Sequence, residues 1–208
     1  MLWQMAAIAT SFLLLRSLFF GTGYYFFLIW NLFLAWIPLW CAQYFYNFHK
    51  KRPPLLLGLI AFVWLLFLPN APYLVTDLIY LRFSTSVTIG FDIFMLGTFA
   101  FLGFFLGIYS LTLMKKSLAQ LLGNKYETLF VILVSLLSGF AIYLGRFIRW
   151  NSWDFIVHPL SLFQNIFGVL SHPLEHPEMI LTTLLFGLAM IGSSFLFERL
   201  VEYRKPVH

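Results

Sequence analysis

Six runs of mostly apolar residues, each on the scale of a bilayer span, constrain this chain more than any other feature. A hydrocarbon core of about 30 Å takes about 20 helical residues. Runs of that kind are predicted at about 2–20, 24–48, 54–68, 88–114, 128–148 and 179–200. Without water in the bilayer, backbone groups must bond within their own segment, which selects helices. The expected fold is therefore all-α: a polytopic bundle of about six transmembrane helices with short interfacial or re-entrant helices. Composition agrees, since 10% of residues are charged and mean hydropathy is +0.87, against about 25% charged in soluble domains. The 26 Phe suit a lipid-facing surface and interfacial belts. No polar linker is long enough to divide 1–208, so one transmembrane domain is expected. No Lys or Arg precedes the first run and Arg16 interrupts it, so it reads as an uncleaved span and not a secretory signal.

Two stretches break the apolar pattern. Pro69-Asn70-Ala71-Pro72-Tyr73-Leu74-Val75-Thr76-Asp77 ends the third run. Its two prolines remove backbone donors, and its Asn and Asp need protein or water around them at membrane depth. Gly145-Arg146-Phe147-Ile148-Arg149-Trp150-Asn151-Ser152-Trp153-Asp154 ends the fifth run. After the first stretch, 73–81 reads as a short amphipathic interfacial helix, with Tyr73, Asp77 and Tyr80 on one face and Leu74, Leu78 and Leu81 on another. Gly103 and Gly107 form a GxxxG pair suited to close helix packing. Pro38 predicts a kink in the second span, and Pro54 a helix start. The segment 115–127 reads as a polar loop. The apolar part of 155–178, about 160–170, is too short to cross and reads as re-entrant or surface-lying.

Lys50, Lys51, Arg52, Lys115, Lys116, Lys125, Arg199, Arg204 and Lys205 fall in alternate loops and make nine of the 13 basic residues. Arg82, Arg146 and Arg149 fall on the opposite side. The positive-inside rule then places both termini in the cytoplasm and both unusual stretches on the outer face, where they are expected to meet. The net charge of +5 is no nucleic-acid signal, because these residues sit in short loops. The single Cys41 excludes an intrachain disulfide framework and a Cys-based metal cluster.

Residues 68–78, LPNAPYLVTDL, and 143–154, YLGRFIRWNSWD, resemble two signatures of the membrane family called domain of unknown function 1361. The resemblance extends from about the second span through the sixth. It implies a bacterial integral membrane protein, hence the cytoplasmic membrane, and it implies no activity.

Several constellations carry chemistry. On a continuing helix, Arg146 and Arg149 project from one face and their guanidiniums suit carboxylate or phosphate. Three readings stay open: an internal ion-pair network with Asp77, Asp92 or Asp154; an anionic ligand or headgroup site; and interfacial anchoring beside Trp150 and Trp153. Asp77 would serve as a general base if apolar surroundings raised its pKa, and Tyr73 and Tyr80 would flank a headgroup or sugar. The plainer alternative is interfacial amphipathicity. Asn70 is expected to satisfy backbone groups freed by the prolines. Asp92 and Arg16 are the charges deepest within the predicted spans and are candidates for a pair; Asn151 completes the candidate set. His158, His172 and His176 are weak metal candidates. His172 to His176 fits H-x-x-E-H only superficially, because Pro177 opposes the continuous helix that two zinc ligands require. The alternative places Pro159 and Pro177 in the first turns of helices, with a polar His before each at the boundary. No cofactor is implied.

The sequence supports a membrane protein with a polar outer-face pocket in a binding or accessory role. An envelope enzyme acting on a lipid-linked or phosphate-bearing substrate is the alternative, and a transporter the second. Expected partners are membrane lipids, with an anionic headgroup at the pocket, and no nucleic acid.

Overall fold

In the computed structural model, residues 2–21 and 23–203 are described; Thr22 and the basic tail positions Arg204 and Lys205 lie outside the described residues. The described chain is helical: α1 (Leu2–Phe20), α2 (Phe27–Phe48), α3 (Pro54–Phe67), α4 (Asn70–Tyr73), a 3-10 segment (Leu74–Phe83), α5 (Ile89–Leu122), a 3-10 turn (Asn124–Tyr126), α6 (Glu127–Tyr143), a π-helical turn (Leu144–Ile148), α7 (Asp154–Val157), α8 (Pro159–Ser171), a 3-10 turn (Pro173–Glu175) and α9 (Pro177–Tyr203). Six helical stretches among them are long and apolar enough to cross a membrane. The protein is thus a polytopic helical membrane protein. Its contacts form two compact units, residues 1–44 with 58–110, and residues 45–57 with 111–208.

In the first unit, aromatic and polar side chains tie the helices together. Trp3 of α1 stacks on Trp36 of α2 with ring centroids 4.1 Å apart. The indole N–H of Trp64 on α3 donates to Ser110 Oγ on α5 at 2.8 Å, a buried bond that ties the two helices together. Pro38 lies buried inside α2, where the helix continues on both sides of it.

The GxxxG pair of α5 takes up the broken stretch, not a second long helix. A Cβ on Gly103 would stand 2.6 Å from the carbonyl oxygen of Ala71 and 2.9 Å from Leu74 Cβ. A Cβ on Gly107 would stand 3.2 Å from Ala71 Cβ and 3.3 Å from Pro72 Cδ. Only glycine lets α4 approach α5 this closely.

In the second unit, α6 and α9 are the principal pair. A Cβ on Gly139 would stand 2.9 Å from Thr183 Cα. Gly187 of α9 meets Leu136 of α6 in the same way, at 2.8 Å from its Cδ2. Tyr143, Leu144, Leu162, Val169 and Met179 form a buried cluster where α8 packs over the ends of α6 and α9.

Two expectations about elements are corrected. The segment 115–127 is not a loop: α5 has 34 residues and continues through Lys115 to Leu122. Lys, Leu, Ala and Gln are good helix formers, so the fall in hydropathy marks the edge of the lipid and not the end of the helix. Gly123, at φ 90°, ends it. Nor does 73–81 form an α-helix; residues 74–83 are 3-10. With three residues per turn, positions i and i+3 eclipse. Leu74 and Asp77 therefore share a face, and both are buried.

Candidate functional site

The broken stretch is built by its prolines. Pro72 has no N–H to offer the Leu68 carbonyl, so Ala71 N–H turns to that oxygen instead, at 3.1 Å. That shift leaves the Phe67 carbonyl without its i+4 donor, and Asn70 Nδ2 supplies one at 3.0 Å. Asn70 thus serves the backbone, as its place between two prolines predicts. Past this point Thr76 Oγ1 donates to the Tyr73 carbonyl at 2.7 Å. The 3-10 turn then carries Asp77 inward, where Asn31 Nδ2 of α2 donates to its Oδ2 at 3.0 Å. Asp77 is 1% exposed, so its carboxyl is enclosed by protein.

A second polar centre lies in the same unit. Arg16 Nε donates to Asp92 Oδ1 at 2.8 Å, and Arg16 Nη2 lies 3.4 Å from Oδ2. Ser84 Oγ donates to the same Oδ2 at 2.7 Å. Both members of the pair are buried. Asp92 sits in the first turn of α5, where the helix dipole favours an anion. That turn is itself capped: Thr85 N–H donates to Thr88 Oγ1 at 3.0 Å, and Thr88 N–H to Thr85 Oγ1 at 3.3 Å. The Arg16 guanidinium also lies 4.4 Å from the centroid of the Tyr25 ring. The Tyr25 hydroxyl donates to the Tyr80 carbonyl at 3.4 Å. Tyr24, Phe27, Tyr80 and Phe83 pack edge-on or tilted around this centre.

Asp92 was expected to pair either with Arg16 or with Arg146 or Arg149, and Arg16 has it. The signal was present in the sequence: these are the two charges set deepest in apolar runs. Asn31, Ser84 and Tyr25 were not singled out, because each is an ordinary polar residue near a helix end.

The Gly145–Asp154 stretch belongs to the other unit and has a different geometry from the expected helix. The π turn ends at Ile148, and Arg149 is left-handed, at φ 68° and ψ 33°. It is the one non-glycine residue with positive φ among the described residues. The N–H groups of Arg149 and Trp150 both close onto the Leu144 carbonyl, a Schellman-like end. Arg146 and Arg149 are therefore not successive residues on one continuing helix, because Arg149 leaves the helical conformation. Arg149 is exposed, and its guanidinium has no hydrogen-bond or ion-pair partner among the described residues. Arg146 is half-buried.

Asp154 pairs with no arginine among the described residues. Its Oδ2 accepts from Asn151 N–H at 2.7 Å and from Asn151 Nδ2 at 3.3 Å, a local bond that shapes the entry to α7. Trp150 is half-buried, and its indole N–H is buried with no acceptor among the described residues. Trp153 is exposed. Tyr143, which the sequence did not single out, is buried with its hydroxyl 3.4 Å from His176 Nδ1.

His158, His172 and His176 precede Pro159, Pro173 and Pro177, and each Pro opens a helix or 3-10 turn. His172 and His176 are non-helical, so H-x-x-E-H does not present two ligands from one helix. No group of three metal-ligating side chains occurs among the described residues.

A third polar centre was missed entirely. Lys115 Nζ lies 2.6 Å from Glu198 Oε2 and 3.1 Å from Glu127 Oε2, joining α5, α6 and α9 in the second unit. The loop reading of 115–127 hid it, since a solvated lysine needs no partner.

No curated protein and no solved structure matches the chain. The family model described as protein of unknown function (DUF1361) matches residues 30–192, and the chain belongs to that family.

Proposed function

We propose that this protein is a binding or accessory protein of the bacterial cytoplasmic membrane. Its outer-facing polar stretch, Gly145–Asp154, holds an anionic lipid headgroup. The observation that carries the reading is Arg149. A left-handed conformation costs an L-residue about 1–2 kcal/mol relative to the ordinary helical one, and glycine is the usual solution at such a helix end. Here the position holds an exposed arginine with no acid partner among the described residues. Strain kept for a free guanidinium fits a ligand that the fork recognises, and phosphate is the matching chemistry. Exposed Trp153 sets the depth at the headgroup level. The Pro69–Asp77 stretch belongs to the other unit, and the reading rests on Gly145–Asp154 alone. Orientation with both termini in the cytoplasm is part of the proposal and rests on the basic residues.

Native mass spectrometry of gently purified protein tests the reading. The wild type is expected to retain a phosphate-bearing lipid that Arg149→Ala loses. Equal retention by both proteins, or retention of neutral lipid only, would remove the headgroup site.

A further inference from the structure

The connection between α6 and α9 carries an apolar face that its own unit leaves open. On a helix of 3.6 residues per turn, α8 divides into three arcs. Leu162, Ile166 and Val169 form the first, and they pack onto Tyr143, Leu144 and Met179. Leu160, Phe163, Phe167 and Leu170 form the second, and all four are exposed, Leu160 at 78% and Phe167 at 68%. Ser161, Gln164, Asn165, Gly168 and Ser171 form the third, which is polar, exposed and without a charge.

The height of α8 along the bundle follows from its packing. Tyr143 is the last residue of α6, and Met179 lies in the first turn of α9. A helix packed on both of these lies at the ends of two spanning helices. Its 13 residues extend roughly 20 Å, short of the roughly 30 Å of a hydrocarbon core. The helices on either side of it expose Leu133, Leu137, Leu181 and Leu188, so the open arc of α8 continues an apolar exterior that a bilayer covers.

We propose that α8 is an in-plane interfacial helix whose arc of Leu160, Phe163, Phe167 and Leu170 is inserted among the acyl chains of one leaflet. The occupant of this face is lipid hydrocarbon, not a protein. Interfacial helices that bind through charge carry Lys and Arg on the polar face, and α8 carries none there. Its insertion therefore draws on apolar area alone and does not depend on anionic headgroups or on salt. The helix adds volume to one leaflet at the end of the α6–α9 pair. The inference is independent of the headgroup at Arg149.

The test uses the full chain with Cys41→Ser and single spin-labelled cysteines at Ser161, Phe163, Gln164 or Phe167. The protein is placed in phosphatidylcholine liposomes with and without phosphatidylglycerol. Collision rates are measured with oxygen, which concentrates in hydrocarbon, and with a water-soluble nickel chelate. Labels at 163 and 167 are expected to meet oxygen and be shielded from nickel. Labels at 161 and 164 are expected to show the reverse, in both liposomes and at high salt. Shielding of 163 and 167 from both reagents would mean a protein partner, including a second copy, and would overturn the proposal. Oxygen contact at all four positions would mean a re-entrant segment immersed in lipid, and nickel contact at all four a helix clear of the membrane; either result overturns it. A pattern that appears only with phosphatidylglycerol would overturn the charge-independent insertion.

Discussion

Replacing Gly103 with alanine is the most demanding perturbation for the way the broken stretch is seated. The added Cβ would meet the Ala71 carbonyl oxygen at 2.6 Å and Leu74 Cβ at 2.9 Å. Both lie well inside normal contact distance, and one belongs to the backbone, so α4 must move away from α5. Overpacking of this kind costs about 1–3 kcal/mol. Set against it is the higher helix propensity of alanine, up to about 1 kcal/mol. Gly97 on the same helix is the internal control, because a Cβ there meets nothing within 4 Å. Gly97→Ala should be neutral or slightly stabilising, and because the propensity gain is common to both, the gap between the two variants is the overpacking cost, roughly 1–3 kcal/mol. Gly107→Ala belongs between them, since its nearest contact would be 3.2 Å. The assay is unfolding of purified protein in a fixed mixed micelle, followed by tryptophan fluorescence. Equal stability of Gly103→Ala and Gly97→Ala would refute the close seating of Ala71 and Leu74 on α5.

Three further outcomes are expected. Arg16→Met or Asp92→Asn alone should cost about 3–5 kcal/mol, because each leaves a buried partner uncompensated; the double variant Arg16→Met/Asp92→Asn should recover part of that loss, and additive losses would show that the pair is not coupled. Lys115→Met should destabilise by about 1–3 kcal/mol by leaving the partly exposed Glu127 and Glu198 as unpaired like charges, and adding Glu198→Gln should restore part of it in the same unfolding assay. For orientation, single cysteines at exposed Lys116 and Ser171 in a Cys41→Ser background should label with an impermeant thiol reagent in intact cells only at 171; labelling only at 116 would invert the topology.

The spans were legible because lipid imposes one rule along the whole chain, and apolar length reports it. Their ends were read less well. Loss of hydropathy at Lys115 suggested a loop, whereas the helix runs a further two turns and buries that lysine between two carboxylates. The prolines at 69 and 72 announced a break, and Asn70 was correctly assigned to the backbone it serves. The 3-10 period that follows was not visible, because Tyr73, Asp77 and Tyr80 fit one face of an α-helix and Leu74, Leu78 and Leu81 another. It matters, since a change from 3.6 to three residues per turn moves Asp77 onto the buried face of Leu74. The left-handed turn at Arg149 was hidden for a related reason. Chains usually place glycine or asparagine there, so an arginine gives no warning. Arg16 and Asp92 were findable from depth alone, while their supporting shell of Ser84 and Tyr25 required the fold.

The central claim is that Arg149 holds its strained position for a phosphate-bearing headgroup, and substitution at that residue tests it most directly. Thermal stability is measured for wild type, Arg149→Gly and Arg149→Lys in neutral lipid, then with each member of a panel of phosphate-bearing anionic lipids and non-phosphate lipids. In neutral lipid, Arg149→Gly should be more stable than wild type by about 1 kcal/mol, because glycine relieves the left-handed backbone. With phosphate-bearing lipid, the wild type should gain stability that Arg149→Gly does not. Arg149→Lys, which keeps the charge and loses the planar fork, should gain less than wild type. If both variants respond to every lipid as the wild type does, Arg149 does not recognise a headgroup, and the turn at Leu144–Trp150 is structural.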